Sequence, residues 1–126
     1  MLKIAIDLDN TITANRQSIE FFSVLTNLLI AEHKIYIVTS REPNTEQWVS
    51  EELDILGIEY SQIVITDKKA EFIKANKISI FFENQDESFL DLSEDVLVCK
   101  IREDGNFNFA EKKWIGSKKT TTMIDE

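Results

Sequence analysis

Glycine and proline are scarce: three glycines and one proline, Pro43, in 126 residues leave few places for long flexible linkers. A single cysteine, Cys99, excludes an intramolecular disulfide. Its place in the apolar run Val96-Leu97-Val98-Cys99 reads as a small core residue rather than a nucleophile. No apolar run approaches the length of a membrane span. Residues 2–6 are apolar apart from Lys3, but Asp7 and Asp9 follow directly, which does not match a signal peptide. A cytoplasmic protein with no membrane partner is therefore expected. Basic residues are also outnumbered, 14 Lys and Arg against 23 Asp and Glu, and the net charge of −9 disfavours binding to a nucleic-acid backbone. The exception is Lys112, Lys113, Lys118 and Lys119 around Trp114, which reads as a solvated basic tail.

The length suits a single domain, 1–126, large enough for a hydrophobic core. Leu2–Ile6 is an apolar run too short for a helix and reads as a buried strand. A helix is expected from Arg16 to Glu32, with Asn15 as N-cap and Phe22, Leu25, Leu28 and Leu29 on its inner face. Lys34–Thr39 reads as a second strand and Thr45–Leu56 as a second helix, with Asn44 and Gln47 as a capping box and Gly57 as its stop. Ile63–Ile65, Ile78–Phe82 and Asp95–Ile101 complete five strands. A short helix over Asp67–Ala75 and a helical turn over Ser88–Leu92 lie between them. Asp104-Gly105 offers a turn into a hairpin over 106–114. Phe21, Phe22, Trp48, Phe72, Phe81 and Phe82 fit core positions.

Alternating strands and helices, with near-continuous apolar strands, predict an α/β doubly wound, Rossmann-like three-layer sandwich around a mainly parallel five-stranded sheet. Ligands of such sheets bind beyond the carboxyl ends of the strands. Those ends carry the polar residues of this chain: Asp7-Leu8-Asp9-Asn10-Thr11, then Thr39-Ser40-Arg41, then Asp67-Lys68-Lys69, then Glu83-Asn84-Gln85-Asp86-Glu87.

Four of these segments resemble, in order, the motifs of the haloacid dehalogenase-like phosphatase superfamily. Ile4-Ala5-Ile6-Asp7-Leu8-Asp9-Asn10-Thr11 is similar to its first motif, an apolar strand followed by Asp-x-Asp-x-Thr or Val. Ile37-Val38-Thr39 is similar to the second, Lys69-Ala70-Glu71-Phe72 to the third, and Ile80-Phe81-Phe82-Glu83-Asn84 occupies the place of the fourth. The resemblance covers about residues 2–90 and implies a Mg²⁺-dependent phosphohydrolase acting on phosphomonoesters. Asp7 would attack phosphorus to form an aspartyl-phosphate. Asp9 would protonate the leaving oxygen and then activate water. Thr39 and Lys69 would hold the phosphoryl oxygens, with Lys68 the alternative lysine. Thr11, Ser40 and Arg41 are candidates for substrate contact. The implied Mg²⁺ donors are the Asp7 side chain, the Asp9 main-chain carbonyl and Glu83, with Asp86 supplying charge that the neutral Asn84 lacks.

About 27 residues separate Thr11 from Thr39 and about 29 separate Thr39 from Lys69, which leaves no room for the cap domain of many superfamily members. The resemblance then implies an open site. Such a site suits a bulky substrate, a polynucleotide end, or a partner subunit acting as lid. The first motif, together with Gly105-Asn106-Phe107 and Trp114, is faintly similar to small nucleotidase-like members. The competing expectation is a catalytically weak or inactive binding or regulatory domain, for which the Glu83-Asn84 departure speaks. A phospho-acceptor receiver domain fits poorly, because the Asp-x-Asp spacing is wrong for it. His33, ending a helix, reads as a partner of that terminus rather than a catalyst.

Overall fold

The structure is a computed structural model and describes residues 1–116. Its five-stranded sheet is entirely parallel, in the order β3-β2-β1-β4-β5. The strands are β1 (Lys3–Asp7), β2 (Lys34–Thr39), β3 (Gln62–Ile65), β4 (Ile80–Glu83) and β5 (Leu97–Lys100). The helices are α1 (Arg16–Leu29), α2 (Glu46–Leu56) and α3 (Lys69–Ala75). A two-stranded antiparallel hairpin, β6 (Phe107–Asn108) and β7 (Lys113–Trp114), closes the described chain. The doubly wound, Rossmann-like α/β architecture expected from the sequence is thus present.

Both faces of the sheet are covered, which explains the near-continuous apolar strands. Alternate residues of β1 and β2 divide between two cores. Ile4, Ile6, Ile35 and Ile37 pack with Phe22 of α1 and with Val49 and Leu53 of α2. Ala5, Tyr36 and Val38 face the other way, onto Ile73 of α3 and onto Ile78 and Phe81. The chain first builds outward from β1 to β2 and β3, then returns to lay β4 on the other side of β1. The sheet's reversal point therefore lies beside β1, and the residue leaving its carboxyl end is Asp7.

Asn15 caps α1 as its position suggests: its side chain accepts the Ser18 N–H at 2.8 Å, and the Ser18 hydroxyl accepts the Asn15 N–H at 2.9 Å. Gly57 ends α2 at φ +75°, where a side chain would be strained. Several expectations are corrected. Helix α1 stops at Leu29 rather than Glu32, and Leu28 is 74% exposed while Thr26 takes the buried position. Thr26 fits there because its hydroxyl donates to the Phe22 carbonyl and accepts the Glu59 N–H. Phe21 and Trp48 are exposed, not core. No Asn44–Gln47 capping box forms: Thr45 is the residue before α2, Asn44 sits at φ +68°, and the Gln47 amide reaches forward to Glu51. Asp104-Gly105 turns the chain out of β5, and the hairpin pairs β6 with β7 rather than with β5.

His33 Nδ1 accepts the Leu2 N–H at 2.8 Å, far from the carboxyl ends of the strands. Of the basic tail, Lys113 pairs with Glu111, and Lys118 and Lys119 lie outside the described residues. Among the described residues no helix is long and apolar enough to cross a membrane.

Candidate functional site

Asp7 is the last residue of the central strand and is nearly wholly buried. Beyond it the backbone breaks from strand geometry. Leu8 and Ile12 anchor an irregular turn in the core, and Asn10 takes φ +60°, a conformation Asn tolerates. The wholly buried Thr11 hydroxyl donates to Asp7 Oδ2 at 2.8 Å. Thr11, a candidate for substrate contact, thus fixes the direction of the Asp7 carboxylate from behind.

Lys69 opens α3, and its ammonium bridges two acids: Nζ lies 2.7 Å from Asp7 Oδ1 and 2.9 Å from Glu83 Oε1. Lys69 is buried whereas Lys68 is exposed, so Lys69 is the lysine that reaches the cluster. Glu83 ends β4, and its second oxygen accepts the N–H groups of Asn84 and Gln85 at 3.0 and 3.1 Å. The longer side chain of glutamate curls back onto the backbone that follows it. Two buried carboxylates share one buried cation, and the electrostatics follow. Burial, and then the Glu83 charge, push the Asp7 carboxyl up from 3.8 to about 6 against the pull of Lys69 and Thr11. Burial disfavours the Lys69 ammonium, but the charges of Asp7 and Glu83 outweigh it and its pKa is raised.

Asp9 stands at the rim. Both of its oxygens are held by Arg41, through Nε at 3.0 Å and Nη2 at 2.8 Å, and the same Nη2 reaches Glu52 of α2 at 2.9 Å. The Asp9 hydrogen bond chiefly raises the guanidinium pKa, so Arg41 is a permanent charge. Asp7, Asp9, Ser40, Arg41, Lys69 and Glu83 share the lining of one cleft of about 250 Å³. Thr39 ends β2 next to Ser40; it is wholly buried, and its hydroxyl is the buried side-chain atom left without a hydrogen-bond partner among the described residues. Buried hydroxyls are rarely left so, and one that is calls for a reason. Asp86 sits apart from this cleft, in a neighbouring cavity, with its carboxylate 2.7 Å from Lys100 Nζ.

Among the described residues no three His, Cys, Asp or Glu side chains are placed to hold a metal ion. The donors near Asp7 are instead two carboxylates and one carboxamide, which suits a hard cation that prefers oxygen. The Asn84 amide can be seated either way round. One seating brings its oxygen to 2.9 Å from Asp7 Oδ2 and 2.8 Å from Glu83 Oε2, three acceptors facing one another. Reversed, the amide nitrogen occupies that place and donates to both carboxylates. The nitrogen-inward seating satisfies both carboxylates, so the Asn84 oxygen would reach a cation there only with the amide turned over. Asp7, Glu83 and Asn84 fit such an ion by the oxygen donors they carry. Asp86 is engaged elsewhere.

Sequence reasoning overlooked three contributors. Glu52 lies mid-helix and had no signal. Lys100 ends an edge strand, and no motif singled it out. Asn106 was placed at the start of the hairpin with no contact to the site foreseen, yet its amide donates to the carbonyls of Asn84 and Ile101 at 2.8 and 2.7 Å, while its oxygen accepts the Glu103 N–H at 2.8 Å. Comparison of the chain with protein-family models, with curated proteins and with solved structures finds no match.

Proposed function

We propose that the chain is a small, capless phosphatase of the haloacid dehalogenase-like type, a Mg²⁺-dependent phosphomonoesterase with a cytoplasmic setting. The observation that carries this reading is the Lys69 ammonium bridging Asp7 and Glu83 at the carboxyl ends of β1 and β4, with Asp9 on the rim of the same cleft.

Asp7 supplies the nucleophilic oxygen. Lys69 and Thr11 each hold one of its oxygens, so the carboxylate is oriented before substrate arrives. Its oxygen attacks phosphorus, the ester oxygen leaves, and an aspartyl-phosphate forms. Asp9 gives the leaving oxygen a proton and then takes one from the attacking water, which releases inorganic phosphate and restores Asp7. Lys69 and the unpartnered Thr39 hydroxyl bind the phosphoryl oxygens as charge develops on them. Arg41 holds Asp9 at the cleft, and a phosphate dianion competes for the same guanidinium fork. Mg²⁺, held by Asp7, Glu83, Asn84 and the Asp9 main-chain carbonyl, would neutralise phosphate charge beside three acids.

Turnover of a generic aryl phosphate, with and without Mg²⁺, tests the reading. The Asp7→Asn and Asp9→Asn variants and a chelator should each abolish it. A second reading, a binding domain with little or no catalysis, is favoured by the neutral Asn84 and by the occupied Asp9 carboxylate. Equal, metal-independent background in every sample would decide for that domain.

A further inference from the structure

The phosphoryl cleft adjoins another lobe. It shares Asn10, Asn84 and Gln85 with a second cavity of about 280 Å³, so a ligand seated against Asp7 can extend into it. We infer that this second lobe binds the leaving group, and that the leaving group is a small, neutral, hydroxyl-rich moiety: the substrate is a sugar or polyol monophosphate. The inference rests on the phosphohydrolase reading above and narrows it.

Charge comes first. Among the described residues Asp86, Glu87 and Glu103 line the lobe against one cation, Lys100. Lys100 is already engaged, 2.7 Å from Asp86 and 4.1 Å above the Trp114 ring. A leaving group with a second phosphate or a carboxylate would meet uncompensated negative charge, which selects against it.

Stacking comes second. Among the described residues no aromatic side chain lines the lobe. Phe107 packs edge-on against Phe109 and Trp114, and Arg102 covers both phenylalanine rings. A nucleobase in the lobe would find no ring of the described residues lining it, and base recognition without sequence-like pairing relies on such faces. This turns the argument away from nucleotides and polynucleotide ends.

The hydrogen-bonding inventory comes third. Carboxylates accept, while the carboxamides of Asn10 and Gln85 both donate and accept. Hydroxyls, which also do both, use all of these groups. A single ammonium, which only donates, would use the acids and the amide oxygens and leave the amide N–H groups without a partner. The wall is fixed in place, because Asn106 ties the turn after β5 to the Asn84 and Ile101 carbonyls and Glu103 accepts the Gly105 N–H at 2.8 Å. The volume lies at the small end of ligand sites, about 300 Å³ and upward, which suits a three- to six-carbon polyol.

Calorimetry on the full-length Asp9→Asn protein in Mg²⁺ tests this, since that substitution keeps every proposed metal donor and slows any turnover. The probes are glycerol phosphate, a hexose 6-phosphate, a nucleoside monophosphate, an aminoalkyl phosphate, a phosphorylated carboxylic acid and inorganic phosphate. Glycerol phosphate or the hexose phosphate should bind about tenfold tighter than each of the others, and Glu87→Ala with Glu103→Ala, which line the second lobe alone, should remove most of that margin while leaving inorganic phosphate unchanged. Equal or tighter binding of any other ester, no binding of either polyol phosphate, or equal loss for inorganic phosphate in the double variant would overturn it. Polyol selectivity in a protein that never turns over an aryl phosphate would retain the lobe and reject the hydrolase. Aryl turnover without polyol selectivity would do the reverse.

Discussion

Arg41 grips Asp9 by both carboxylate oxygens and, through the same Nη2, also reaches Glu52 on α2. A planar fork on a half-exposed acid fixes direction more than it adds stability. Arg41→Met should therefore lower kcat about tenfold with a stability change within about 1 kcal/mol, and Arg41→Lys should not restore the rate, because a lysine cannot match the fork. Steady-state kinetics and thermal melts check this, and an unchanged kcat would count against a role for the pair.

Asp7 is strained electrostatically in the folded protein. Its carboxyl titrates near 6, against an ordinary 3.8. Between those values the folded chain holds a proton that the unfolded chain has released, so stability falls as pH rises from about 4 to about 6. Without divalent ions at pH 8, Asp7→Asn should be inactive yet more stable than the parent by about 2 kcal/mol. The advantage should shrink as pH falls from about 6 to about 4. Urea titrations across pH measure it, and a less stable variant at pH 8 would sink the idea.

Lys69→Met leaves Asp7 and Glu83 facing each other with no cation between them. A loss of about 3–5 kcal/mol is expected, partly recovered on acidification as Asp7 takes up a proton. The raised Lys69 pKa gives the complementary sign: its contribution is complete below 10.5 and is lost only as pH climbs through the higher folded value. Alkaline unfolding of the parent, set beside a variant without that transition, is the measurement.

Thr39→Val keeps the shape of the side chain and deletes a buried hydroxyl that nothing in the described chain satisfies. Stability should be unchanged or improved by up to about 1 kcal/mol. Phosphatase activity should fall about tenfold or more if the hydroxyl meets a phosphoryl oxygen. A destabilised, fully active variant would point to a purely structural threonine.

Asn84→Asp would set a third acid where the amide now stands between Asp7 and Glu83. Mg²⁺ affinity, read from the ion's effect on the melting temperature, should rise about tenfold, and the metal-free protein should be less stable. Tighter metal binding without a metal-free penalty would mean the three groups do not converge.

Much of the fold was legible because parallel strands covered on both faces must be apolar along their length. The runs at Ile4–Ile6 and Ile35–Val38 could hardly be anything else. Asp7, Asp9, Lys69 and Glu83 were legible because each stands where an apolar element ends or begins. Helix faces were harder. Phe21 and Leu28 fit a helical stripe as well as Phe22 does, and only the docking of α1 decides which side is buried. The Arg41–Asp9, Lys100–Asp86 and Asn106–Asn84 contacts join residues far apart in the chain, and no local pattern announces them.

One carboxamide, that of Asn106, fastens the segment after β5 to the backbone beside the proposed metal donors. No described residue downstream of that rivet lines the cleft of Asp7, Lys69 and Glu83. Grafting different hairpins after position 106 is thus a route to new substrate preferences on an unaltered catalytic base.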